Sequence, residues 1–243
     1  MRTQCALLVS AMGLMMGCGL LDAGGAGSGP GPNTSVGGLR IEAPLGVNIR
    51  ESPDTGSSPV SALITIRKQD TSGSKTDVSK DAVFQINGVT IPYDPTFGLF
   101  DFSKVTIPNA TIGSTLTLSA TYGADSATFQ IKCPDIKLTE PAENTKVAEG
   151  QDLAVSWSGQ LSYASGLLFT PSLDLYGYKA ATNTTDTQSI KGKITTQTSG
   201  TVKIPTADGK TGYVVQLLVP GDSVSGDGGT GLCFVYLRRH LTK

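Results

Sequence analysis

The chain has 243 residues, with 19 Lys and Arg against 20 Asp and Glu, and a formal net charge of −1. That balance lacks the clustered basic face of a nucleic-acid protein, so no nucleic-acid partner is expected. Thirty Gly, 13 Pro and only 16% charged residues favour strands punctuated by turns, and no segment carries a sustained 3.6-residue apolar period.

The chain opens with Met1 and Arg2, followed by an apolar run from Cys5 to Met16, and small Gly17 stands directly before Cys18. A basic start, an apolar stretch and a small residue at the cut are the pattern of a secretory signal peptide. With cysteine at the first mature position, the segment resembles the lipobox signal of bacterial lipoproteins, Met15 taking the place where leucine is favoured. The resemblance implies that residues 1–17 are removed and that Cys18 carries the lipid. Gly19, where an aspartate would signal retention, resembles the outer-membrane sorting pattern of enteric diderm bacteria. The expected location is therefore the cell envelope, at the outer membrane. An ordinary cut near Ala23 is the alternative. A membrane-spanning helix needs about 20 apolar residues, more than this run supplies.

Residues 18–37 are rich in Gly, Ser and Pro and read as a flexible tether, with a reach of about 25 Å. Residues 38–134 read as a first β-sandwich domain. Ile64 and Ile66 alternate with Thr65 and Arg67, and Phe84 and Ile86 run into the Asn87-Gly88 turn signal before Val89 and Ile91 resume. Leu116, Leu118, Ala120 and Tyr122 share one face. After the turn at Gly123-Ala124-Asp125, so do Ala127, Phe129, Ile131 and Cys133. Two period-two runs about a short turn predict a hairpin with one apolar face.

Residues 135–243 read as a second β-sandwich domain. Ile136 and Leu138 lead to a turn at Pro141, and Leu153, Val155 and Trp157 share a face after Gly150. Further strands are expected near 172–179, 188–196, 201–204, 213–219 and 232–238. The stretch from Ile136 to Ser158 looks like the opening strands of bacterial immunoglobulin-like domains. That resemblance implies an all-β chain of two tandem immunoglobulin-like β-sandwich domains, with Trp157 packed between sheets. The Cys–Trp–Cys spacing of antibody-type domains is absent.

With Cys5 removed and Cys18 lipidated, Cys133 and Cys233 remain, an even pair in a disulfide-permissive compartment. Their bonding is expected, with two buried thiols as the alternative. Cys133 ends the last strand of the first domain and Cys233 lies in the final strand of the second. A disulfide there would clamp the junction.

The chemistry is sparse. The one histidine, His240, lies near the C-terminus and reads as a solvated end, which leaves no Ser-His-Asp or Cys-His arrangement. No catalytic residue, metal site or cofactor is expected. Asp222 and Asp227 lie in a Gly-rich stretch, residues 221–230, that reads as a flexible hairpin loop, with calcium the lesser alternative because no glutamate closes it. Tyr163, Phe169, Tyr176 and Tyr178 form an aromatic group that, if exposed, suits sugar rings or a protein surface, with simple cover of a sheet face as the alternative. The expectation is a non-enzymatic envelope lipoprotein, held by its lipid, that binds or braces an envelope protein or glycan. A glycan-binding adhesin-like module and a carboxylate-dependent envelope hydrolase are the alternatives.

Overall fold

The computed structural model describes residues 33–51, 59–161, 170–179, 184–206 and 208–243. The described residues form strands and no helix. In chain order these are β1 (Thr34–Val36), β2 (Leu39–Glu42), β3 (Val47–Arg50), β4 (Val60–Ala62), β5 (Thr65–Gln69), β6 (Lys75–Asp77), β7 (Val83–Ile86), β8 (Val89–Ile91), β9 (Tyr93–Asp94), β10 (Leu99–Phe100), β11 (Thr115–Tyr122) and β12 (Asp125–Lys132). They continue as β13 (Lys137–Glu140), β14 (Thr145–Lys146), β15 (Asp152–Ser158), β16 (Ser172–Lys179), β17 (Thr184–Lys191), β18 (Lys193–Ile194), β19 (Ser199–Lys203), β20 (Gly212–Pro220), β21 (Val224–Gly226), β22 (Gly229–Gly231) and β23 (Cys233–Thr242).

One pair of sheets sets β1-β12-β11-β7-β8 against β21-β22-β2-β5-β6. The predicted hairpin is there, with Leu118 opposite Phe129 and Tyr122 opposite Asp125. Asn87 and Gly88 both take positive φ, 48° and 81°, which matches the right-handed twist of the strands they join. The apolar set Leu116, Leu118, Phe129 and Ile131 is buried, as are Leu39, Ile41 and Ile66. Each such side chain stabilises the fold by roughly 1.5–3 kcal/mol.

The second pair sets β13-β15-β19-β18 against a larger sheet ordered β17-β16-β20-β23-β3-β4, with β14 also on β23. Leu153, Val155 and Trp157 point inward, and so do Leu173, Leu175, Val215, Leu217, Val235 and Leu237. Trp157 is buried, and its indole Nε1 donates to the Gln197 carbonyl at 2.8 Å, which satisfies its one polar atom.

Pairing crosses the junction expected between residues 134 and 135. Ile41 lies parallel to Gly229. Ala43 N then donates to Thr230 O and Val47 N to Leu232 O, both at 2.9 Å. From there β3 runs parallel to β23, from Val47 opposite Cys233 to Arg50 opposite Tyr236. Residues 41–50 and 229–236 thus form one parallel ribbon that leaves the first sheet pair and enters the second. The buried residues of both pairs form a single cluster.

Glycine makes the ribbon possible. A Cβ on Gly229 would stand 2.1 Å from the Ile41 carbonyl oxygen, and one on Gly46 would stand 2.5 Å from the Phe234 ring. The Cys133–Cys233 disulfide is formed where the ribbon crosses, with Cα atoms 4.9 Å apart, inside the range such bonds occupy.

Three details differ from the sequence reading. Residues 34–36, assigned to the tether by composition, pair with β12, so folded structure starts before residue 38. The stretch at 221–230 is a hairpin, but its second arm, β22, is docked beside β2 with Gly229 and Gly231 buried. His240 lies inside β23, partly buried, with its backbone N–H donating to Glu143 Oε2 at 3.0 Å. It is not a solvated end, because β23 continues to Thr242.

Candidate functional site on the outward face of the large sheet

Because side chains alternate across a strand, the inward set of β23 leaves Phe234, Tyr236, Arg238 and His240 on its other face. The register then places residues of four strands in rows. Asp174 lies opposite Gln216, and Gln216 opposite Arg238. Tyr176 lies opposite Val214, and Val214 opposite His240. Leu218 lies opposite Tyr236, and Tyr236 opposite Arg50.

The rows are tied by their side chains. Arg238 Nε donates to Gln216 Oε1 at 2.7 Å, and Gln216 Nε2 donates to the Tyr176 hydroxyl at 3.5 Å. The Arg50 guanidinium lies 5.4 Å from the centre of the Tyr236 ring, within cation–π range. Burial, and after it the charge of Arg50, lowers the pKa of Arg238. Two cations are therefore held close together on one face.

Asp174 is 2% exposed and accepts hydrogen bonds from Ser172 Oγ at 2.8 Å, Ser189 Oγ at 2.7 Å and Lys191 Nζ. Burial works against its charged form. The bonds from Lys191, Ser189 and Ser172 outweigh that cost and hold its carboxyl below the usual carboxylate range. Asp174 is thus a fixed anion that locks β16 to β17.

Between these rows lies a cavity of about 330 Å³ lined by Arg50, Tyr176, Thr185, Asp186, Val214, Gln216, Tyr236 and Arg238. The β16–β17 register shifts between Tyr176 and Tyr178, and such bulges re-aim side chains. Gly177 sits in this shift, where a Cβ would stand 2.4 Å from Asp186 Oδ2. Asp186 is ion-paired with Lys210. The cavity offers two guanidinium groups, two phenols, an amide, a hydroxyl and one carboxylate, all but Arg50 reaching from β16, β17, β20 and β23. That set binds polar, hydrogen-bonding ligands through both donors and acceptors.

Of the sequence-predicted residues, Tyr176 lines this cavity. Tyr178, on the same face two residues on, instead packs against His240 with ring centres 5.3 Å apart. Tyr163, Phe169 and Cys18 lie outside the described residues. Asp222 and Asp227 are exposed and are not brought to the tyrosines. Asp222 borders a second cavity, of about 350 Å³, beside the disulfide. Among the described residues, no three His, Cys, Asp or Glu side chains gather as metal ligands.

Arg50, Gln216, Tyr236 and Arg238 were not anticipated. Tyr236 and Arg238 were legible in principle, since the alternation of β23 that buries Cys233, Val235 and Leu237 puts them on the other face. Arg50 had no such signal, because its partner strand lies near the opposite end of the chain. Compared with known proteins, the chain matches no family model and no curated sequence.

Proposed function

We propose that this protein is a non-enzymatic lipoprotein of the bacterial cell envelope, anchored through Cys18, that binds an envelope component on the outward face of its large sheet. The observation that carries the binding reading is the convergence of Arg50, Arg238, Gln216 and Tyr176 on one cavity. The opposite face of the same strands is packed core, and rigid strands hold binding groups more accurately than loops do. Asp186 is the one carboxylate lining this cavity, and it is engaged by Lys210. Hydrolysis by paired carboxylates needs a second acid beside it, so the lining favours binding. The Gly17-Cys18 sequence after an apolar run supports the anchor, since each buried acyl CH₂ contributes about 0.8 kcal/mol to membrane attachment.

Two measurements test this. Cys18→Ser should leave the membrane fraction or stay unprocessed, and wild-type fractionation by this variant would remove the anchor. The full chain should be retained on insoluble envelope material, Tyr176→Ala should lose that retention, and Tyr178→Ala, outside the cavity, should keep it. Equal retention of Tyr176→Ala and wild type would remove this face as the binding surface.

A further inference from the structure

We infer that the cavity on the outward face takes an acidic sugar unit, with its carboxylate held between Arg50 and Arg238. This rests on the binding reading above and names its ligand class. Among the described residues, neither arginine forms an ion pair with a carboxylate. Arg50 lies over the Tyr236 ring, and Arg238 directs its Nε to Gln216. Its two terminal nitrogens remain for a ligand. Guanidinium groups present planar donor forks that match a carboxylate in bidentate geometry. Two of them brought together repel each other, and an anion placed between them relieves that repulsion. The lowered pKa of Arg238 is in keeping with this crowding.

The rest of the lining says what carries the carboxylate. The Tyr176 and Thr185 hydroxyls, the Gln216 amide and the Asp186 carboxylate supply donors and acceptors at several points around one small space. A sugar ring bears hydroxyls that need both. A peptide is disfavoured by the setting. Peptides add to open sheet edges or lie in apolar grooves, but β16, β20, β23 and β3 are each already paired on both sides. The cavity opens on the face of the sheet, and only Thr185 and Asp186 reach it from an edge strand, β17.

The test is titration calorimetry on the full chain in detergent. The probes are uronate oligosaccharides (galacturonate, glucuronate and the mannuronate–guluronate type) and the same oligosaccharides after reduction of each carboxyl to an alcohol. At least one uronate should bind at least about tenfold more tightly than its reduced form, as loss of a charged hydrogen bond implies. Arg50→Gln, at an exposed position, should keep the melting temperature and lose that discrimination, and Arg238→Gln should do the same. Equal binding of acidic and reduced forms, or displacement of the sugar by inorganic sulfate at matching concentration, would overturn the inference. If a neutral sugar binds and Tyr176→Ala abolishes it, the acidic ligand falls while the binding face stands. If no saccharide binds, the inference also falls, and envelope retention of Tyr176→Ala decides the binding face separately.

Discussion

The β11–β12 hairpin and the β3–β23 pair are both buried, regular two-stranded elements, yet they arise from the sequence in opposite ways. In the hairpin, Tyr122 meets Asp125 across a turn of two residues. Its register follows from one alternating run folded back on itself. In the β3–β23 pair, the strands are parallel and come from the two halves of the chain. Glu51, just past β3, bonds Arg239 from 188 residues away. The hairpin lies within one sheet pair, whereas the ribbon that includes β3 and β23 joins both. Local patterning thus builds the faces of this molecule, and long-range pairing makes them one body.

The sharpest way to break the second region is covalent. The disulfide links residues 100 apart at the crossing, and closing such a loop stabilises by about 4 to 5 kcal/mol in the chain-entropy account. Cys233→Ser should lower stability by that order in chemical denaturation, with one free thiol on Cys133. Loss of less than about 1 kcal/mol would mean that the ribbon's hydrogen bonds alone hold the crossing.

A kinetic comparison sharpens the contrast. Leu118 in β11 and Ile49 in β3 are both fully buried, so each alanine substitution should cost about 2 to 5 kcal/mol. The cost should partition differently. Leu118→Ala should slow refolding, because local hairpin contacts form early. Ile49→Ala should act almost wholly by speeding unfolding, because its contacts close last. Stopped-flow folding and unfolding rates read this directly, and equal partition in the two variants would remove the proposed order.

The smallest of these effects is at Asp174. Asp174→Asn removes a charged acceptor of three donors and should cost about 1 to 3 kcal/mol. Its folded pKa lies below the usual carboxylate value. The stability it contributes is therefore present above about pH 4 and lost as pH falls through the folded pKa. Melting temperatures measured from pH 7 down to pH 2 should fall less steeply for the variant. A parallel decline would assign the acid sensitivity to other carboxylates.

The same contrast explains what the sequence disclosed. The hairpin, the Asn87-Gly88 turn, the buried face of β15 and the cysteine pair were legible because period-two alternation and cysteine parity are local or countable. β22 was not, since Gly-Thr-Gly carries no apolar pattern and is placed by what glycine lacks beside Ile41. One residue of the candidate site followed the same rule. Tyr176 stood out as part of an aromatic group, whereas Arg50 acquires its neighbours through a parallel pairing that no short window contains.

The ribbon also sets a timetable. A chain is synthesised from its N-terminus at about 5–20 residues per second. The partner of β3 therefore appears about 10 to 40 seconds after β3 itself. The β11–β12 hairpin has both arms long before then. Throughout almost all of that interval the first sheet pair still lacks β21 and β22, and the nascent chain carries an apolar strand with one side open, a template for wrong pairing. Whatever attends this protein during its birth must shield Val47 and Ile49 until residues 233–236 arrive.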